Sequence, residues 1–342
     1  MQSWIDFLTS QHATFSAGRV TGFGEATAMN TAPTAGTHGS RLCDLSHYGL
    51  ISVSGPDAAS FLHAQFTNDV ANLADGHAQW NSWCSPKGRM LASFLLWHIG
   101  DTYSMMLPRA IQAAIHKRLG MFVLRAKVSI ADQSDSLVRI GLVSLAPAVT
   151  RKLGVIEPAP DGGLRISASG SCDLFLAPVE VAPTNWRALA AQAAPSGADV
   201  WDLGLIRDGI AEVRAETQDR FVPQAANYEL IGGVSFKKGC YPGQEIVART
   251  QYRGILKRRM VRAKVPHGFT LRAGDAVYSP LFPEQAVGDV VSAAMLSDTQ
   301  EVLLVAQLDA IRGDSLYAEA ACGDLSKLMQ LPLPYSLPSD AN

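Results

Sequence analysis

The sequence predicts an α+β protein made of two ferredoxin-like modules and a small C-terminal β-barrel, and three stretches carry that expectation. Residues 50–119 read as strand, helix, three strands and helix. Residues 137–213 repeat a related order, and beyond Gly254 only short strands follow, closely spaced. At 342 residues the chain is longer than one core usually serves, so domains are expected at 1–135, 136–255 and 256–335.

At the N-terminus, Ser3 and Asp6 read as a capping box for a short amphipathic helix carrying Trp4, Phe7 and Leu8. Residues 29–41 are small, polar and unpatterned, as in a connecting loop. Residues 50–54 alternate like a strand. Gly55-Pro56-Asp57 then makes a turn and helix start, and Phe61, Leu62, Gln65 and Phe66 share a helical face. Strands are expected at 79–84 and 90–98, joined by the turn Ser85-Pro86-Lys87-Gly88, and at 102–107. Ile111, Ile115 and Leu119 mark a helix after them. The second block reads as a strand at 137–144, a short helix at 147–153, strands at 164–169 and 172–179, an Ala-rich helix at 185–194 and a returning strand at 203–213. That βαββαβ order is the split arrangement of a ferredoxin-like module. Short segments at 260–265, 276–278, 287–293, 302–308 and 315–318, with Gly, Pro and Asp turns between them, predict the barrel.

The chain is 47% hydrophobic and 18% charged, less charged than an average domain at about 25%, which points to a compact protein with ample core. Its longest apolar run, residues 90–99, includes His98 and falls well short of the roughly 20 residues a membrane helix needs. No basic region followed by an apolar block opens the sequence, so a cytoplasmic location is the expectation. The five cysteines (Cys43, Cys84, Cys172, Cys240 and Cys322) are widely separated and form no CxxC, against both a disulfide framework and a zinc site. Between Lys237 and Lys264 nine cations face one acid, Glu245, a local balance of +8 in a chain whose net charge is −2. An anionic ligand, or the acidic remainder of the fold, is expected to lie against this segment.

Cys240 sits inside that basic stretch, in FKKGCYPGQEIVARTQYRG. Thiolates are stabilised by nearby cations and by helix N-termini, and here Lys237 and Lys238 precede the cysteine while Pro242-Gly243-Gln244-Glu245 reads as a helix start. Glu245 and Arg249 stand at i, i+4, and Gly239 and Gly243 allow a tight backbone. The competing reading is a small buried residue, the commoner fate of a lone cysteine. The sequence contains no phosphate loop, dinucleotide fingerprint, HExxH or GxSxG, and its eight histidines, His47 and His63 included, read as ordinary structural residues.

The run Lys238-Gly-Cys-Tyr-Pro-Gly-Gln-Glu245, followed by Arg249, resembles the signature of the folate-binding YgfZ proteins, relatives of the glycine-cleavage T-protein. SGPDAASFLHAQFTNDV, CSPKGRMLASF and FVPQAANYELIGGVSFKKG resemble further family segments, in family order. The resemblance implies a three-domain ring with tetrahydrofolate, or a one-carbon derivative, at its centre. It implies support for iron–sulfur cluster assembly, maintenance or repair in client enzymes, tRNA-modifying enzymes among them, with Lys238 and Cys240 as the functional pair. Iron–sulfur client or assembly proteins are then the expected partners, with neither nucleic acid nor membrane bound directly. Gly239, Tyr241, Gly243, Gln244 and Glu245 would border the folate. A pterin needs a flat slot, polar edge contacts and cations for its glutamate tail. Trp83, with Trp80 and Trp97, would stack, Gln224 and Asn227 would meet the edge, and Lys87, Arg89, Arg249 or Arg253 would clamp the tail; core packing is the alternative for the tryptophans.

Two departures bear on activity. The T-protein relatives are aminomethyltransferases that use a carboxylate in the segment matching residues 85–90, where this chain carries Lys87 and Arg89 and no acid. Transferase chemistry is therefore disfavoured. Where several relatives have an acid two places before a glycine, this chain has Arg207, leaving Asp208 or Glu212 as substitutes. A module binding nucleic acid through the basic segment is a third reading, against which stand the negative net charge and the lack of an aromatic RNA-binding motif.

Overall fold

The computed structural model describes residues 1–24, 39–146, 153–159, 162–252, 256–296, 298–319 and 325–338. Three sheets dominate it. The first has five antiparallel strands in the order His77–Cys84, Met90–Ile99, Thr102–Pro108, Tyr48–Ser54 and Ser129–Asp132. Alternation along these strands makes the sheet two-sided. Ile51, Val53, Trp83, Phe94 and Met105 pack with Phe61, Leu62, Ile111 and Ile115 of the helices Ala58–His63 and Arg109–Gly120. Leu50, Trp80, Leu95, Trp97 and Met106 face the other way, into a core shared with the second sheet.

The second sheet runs Ile156–Ala159, Gly163–Ser167, Cys172–Pro178, Leu137–Ser144, Ser40–Asp44 and Ala194–Pro195, the last pair parallel. Ser40–Asp44 pairs with Leu137–Ser144, so the N-terminal segment joins this sheet and not the first. The helix Gln2–Ser10 follows it there, burying Trp4, Phe7 and Leu8 against Phe175 and against Trp186 of the helix Ala182–Ala190. The expected capping box is not formed: Met1 is the N-cap, no side chain caps the helix, and Asp6 instead accepts from Gln2 at 2.8 Å. The helix expected at 147–153 lies almost wholly outside the described residues.

In place of the predicted strand at 203–213, residues 208–213 form a turn and an irregular segment and residues 203–207 end the helix Asp199–Arg207. Its Val200, Trp201, Leu203, Gly204, Leu205 and Ile206 are all buried because the helix lies between the second sheet and the C-terminal sheet. An apolar run buried all round carries no period by which to tell helix from strand. Gly204 makes the approach close: a Cβ there would lie 2.5 Å from Cys172 Sγ.

The C-terminal strands form an open five-stranded sheet in the order Ala276–Val277, Gly288–Leu296, Thr299–Gln307, Arg258–Val265 and Met329–Leu331. Among the described residues it does not close into the expected barrel. Tyr317–Glu319 and Leu325–Lys327 pair with each other, and among the described residues Tyr317 bridges to Tyr278 beside the strand Ala276–Val277. No helix among the described residues is long and apolar enough to cross a membrane.

Candidate functional site

Cys240 is exposed, whereas Cys43, Cys84 and Cys172 are buried. The loop that carries it is anchored on both sides. Upstream, the Ser235 N–H donates to the Thr67 carbonyl at 2.9 Å, and Lys238 turns inward until only 8% of it is exposed. Its ammonium donates to the carbonyls of His63 and Phe66, at and just beyond the C-terminal end of the helix Ala58–His63, and lies 4.8 Å from the Tyr241 ring centroid. Burial pulls the Lys238 pKa down to about 8, with Asp69 opposing the shift. Beside it, His63 Nδ1 accepts the Ala71 N–H at 3.2 Å, and a Cβ placed on Gly239 would lie 3.8 Å from His63 Nε2. Downstream, Gly243 at φ +79° presses on the turn at 85–88, where an added Cβ would fall 2.4 Å from the Ser85 oxygen and 2.6 Å from Gly88 Cα. The helix Gln244–Tyr252 starts there, as its proline, glycine and early acid predict. Glu245 and Arg249 line an open cavity of about 470 Å³ with Ala248 and Tyr252, and the Gln244 side chain donates back to the Lys238 carbonyl at 3.4 Å.

The other residues expected to hold a cofactor do not converge. Trp83 is 1% exposed and packs edge-on against Phe66 and Phe122 in the first core. Trp80 and Trp97 are buried as well, Trp80 donating to the Ala168 carbonyl at 2.9 Å. Core packing therefore describes all three. Gln224 donates to the Val247 carbonyl at 2.6 Å and Asn227 to that of Met260 at 2.9 Å, both fully inside. Lys87 and Arg89 are exposed. Arg253 lies outside the described residues. Arg207 is held by Glu301 at 2.8 Å, and Asp208 accepts from Ser169 and from both the backbone and side chain of Ser171. Glu212 is buried and accepts the Tyr48 hydroxyl at 2.5 Å.

A cavity that sequence reasoning missed lies next to Glu212. Of about 660 Å³, it is walled by Met1, Ile5 and Pro108 and by Arg19, Arg109 and Arg214, with Asp135 and Glu216 at its edge. His47 lines it with both ring nitrogens buried and, among the described residues, unpartnered, and Arg214 Nε is likewise without a partner there. Burial, with Arg19 and Arg214 nearby, pulls the His47 pKa down to about 3, so its imidazole is neutral, with one donor and one acceptor to offer. Arg214 is tied to Asp202 at 2.8 Å, and Arg19 to Asp202 at 2.8 Å and to Asp199 at 2.7 Å. Burial opposes ionisation of Asp202, yet Arg19 and Arg214 hold its pKa below the usual carboxylate range, while burial pushes Glu212 up to about 7. No local motif flags this cluster, because its members come from four separated stretches of chain. A second cleft, of about 470 Å³, gathers Arg89, Arg220, Lys257 and Arg258 over Phe221, Val222 and Leu256. The two cavities flank the segment 214–220, and Gly274 touches both walls: a Cβ there would lie 3.1 Å from Glu216 Cβ and 3.8 Å from Arg220 Nη2.

Comparisons with known proteins bear on this geometry. The family model described as the GCVT N-terminal domain matches residues 26–144. The tRNA-modifying protein YgfZ of Vibrio vulnificus strain CMCP6 is 30% identical over 317 residues, covering 86% of this chain and 91% of the relative. The chain belongs to the YgfZ family. A second YgfZ relative, from Klebsiella pneumoniae, is 28% identical over 314 residues, covering 86% of this chain and 93% of its own. The glycine cleavage system aminomethyltransferase T from Bartonella henselae shares the mixed α+β, mostly sheet fold, with a TM-score of 0.74 at 16% identity over 97% of this chain and 96% of that one. At that identity the likeness is one of fold; in this chain Lys87 and Arg89 are exposed beside the turn on which Gly243 sits.

Proposed function

We propose that the chain is a cytoplasmic, folate-dependent accessory protein for assembly, maintenance or repair of iron–sulfur clusters in client enzymes, including tRNA-modifying enzymes, and that Cys240 is its working thiol. The observation that carries the reading is the contrast, among the described residues, between one exposed cysteine, on a loop anchored at both ends, and three buried ones, Cys322 lying outside those residues. On this reading the first and second sheets belong to the ferredoxin-like modules and the C-terminal sheet completes a ring.

The His47 cavity fits a folate better than the residues first expected to hold it. Its volume is in the range of small-molecule sites. Its orphaned buried atoms, His47 Nδ1 and Nε2 and Arg214 Nε, are what a heterocycle edge bearing both donors and acceptors would satisfy. Glu216 and Asp135 would accept from ring amino groups, Arg109 would meet a tail carboxylate, and Met1, Ile5 and Pro108 would cover the ring. When bound, tetrahydrofolate supplies a carrier for a one-carbon unit. The chain's own part is to hold and orient it, while Cys240 stays exposed at the loop.

Titration of tetrahydrofolate against wild type, His47→Leu and Cys240→Ala tests both halves. His47→Leu is expected to weaken binding about tenfold, equivalent to about 1.4 kcal/mol. Unchanged affinity would remove the cavity from the reading. Cys240→Ala is expected to bind folate normally yet fail to restore cluster-enzyme activity in a deletion strain, and full rescue would remove the thiol. The fold alone favours a second reading, an aminomethyltransferase. The cationic, acid-free turn at 85–90 weighs against it, and measured formation of methylenetetrahydrofolate would reverse that judgement.

A further inference from the structure

We propose that Lys238 positions Cys240 by pinning its loop to the end of the Ala58–His63 helix, and that it is not the cation that activates the thiol. This rests on the reading of Cys240 as the working thiol and concerns how that thiol is presented. In sequence Lys238 stands two places before the cysteine, where a flexible ammonium would be free to turn toward a thiolate. In the fold it turns away. Its N–H groups go to the carbonyls of His63 and Phe66, more than 170 positions earlier in the chain. The last carbonyls of a helix have no partner within it, and a cation there also meets the negative end of the helix dipole. The Tyr241 ring covers the ammonium on a further side, at 4.8 Å. Three donors with two carbonyl acceptors and an aromatic face leave little of the ammonium for a ligand.

The second anchor completes the device. Gly243 is seated on the turn at 85–88 so tightly that no side chain fits. Gly239 and Cys240 are thus the exposed span between two fixed points, Lys238 and Gly243, both of which grip the first module. Lys237, the neighbour in sequence, stays exposed and serves as an internal comparison.

Three measurements test the proposal. In wild type, acylation by an amine reagent, read residue by residue by mass spectrometry, should be at least about tenfold slower at Lys238 than at Lys237, as a protected group requires. Equal rates overturn the pin. In Lys238→Met, amide exchange should quicken about tenfold at both 62–66 and 236–243, two segments remote in sequence, while the midpoint of the pH–rate profile for Cys240 alkylation stays put. An upward shift of that midpoint by about one pH unit or more would assign Lys238 to thiolate stabilisation and overturn the proposal. Unchanged exchange in both segments also overturns it. Should Lys238→Met not fold, the wild-type acylation ratio decides alone. These readouts are independent of client activity, so full rescue by Cys240→Ala would end the thiol reading while leaving the pin as a structural fact.

Discussion

Replacing Gly243 with alanine tests how the cysteine loop is docked. Two costs can be separated. Gly243 has φ +79°, a conformation that costs an L-residue about 1 to 2 kcal/mol. In addition, its Cβ would fall 2.4 Å from the Ser85 oxygen and 2.6 to 2.7 Å from Gly88 Cα and N, all backbone atoms of a turn closed by its own hydrogen bonds. Backbone cannot swing aside as a side-chain tip does, so an overpacking penalty of about 1 to 3 kcal/mol adds to the strain. Gly268 is the matched control: its φ is +86° and nothing lies within 4 Å of its Cβ position, so Gly268→Ala should show the backbone term only. The expected difference is about 1 to 3 kcal/mol in chemical unfolding, unless the loop lifts off the turn to relieve the clash. Lift-off would appear as faster amide exchange at Gly88 and Gln244. Equal stability of the two variants, within about 0.5 kcal/mol, together with unchanged exchange at those amides, would refute the docking described here.

Two further outcomes follow from buried residues. The Glu212 carboxyl, pushed by burial from 4.5 up to about 7, keeps a proton in the folded chain that the unfolded chain has already released, so Glu212 makes stability fall as pH rises from about 4.5 to 7. Glu212→Gln should flatten that part of the stability profile measured by denaturant unfolding, and an unchanged slope would contradict the shift. Trp83→Leu should lower stability by about 2 to 4 kcal/mol, as expected for truncating a fully buried aromatic, and leave tetrahydrofolate affinity within about twofold. A large loss of affinity with little loss of stability would return Trp83 to the ligand site.

Much of the first sheet could be read in the sequence. The strand expected at 90–98 is Met90–Ile99, that at 102–107 is Thr102–Pro108, and the helix marked by Ile111, Ile115 and Leu119 is Arg109–Gly120. The helix has one face on a core, and the strands, though buried on both faces, are bounded by clear turn residues, so period in the one and punctuation in the others are local. The helix Asp199–Arg207 was not readable because two sheets bury it from opposite sides and erase its polar face. The strand Ser40–Asp44 was not readable, because residues 29–41 look like a connecting loop and nothing local says that its partner is Leu137–Ser144, about a hundred residues away. In the candidate site, the exposed thiol and the helix start at Gln244 followed from neighbouring residues. The His47 cavity did not, since Arg19, His47, Arg109 and Arg214 meet only in the folded chain.

By itself the sequence determined the class of fold, the family motif and the one cysteine placed in a basic, glycine-framed turn, because each is written in residues close together along the chain. Only the tertiary structure decided what the flanking charges do. Lys238 looks like an activating cation when read beside Cys240, but burial and the carbonyls of His63 and Phe66 claim its N–H groups. Hydrogen-bond satisfaction of buried groups is settled across the whole fold, and it redirected Lys238, one of the two lysines that sequence proximity had assigned to the thiol.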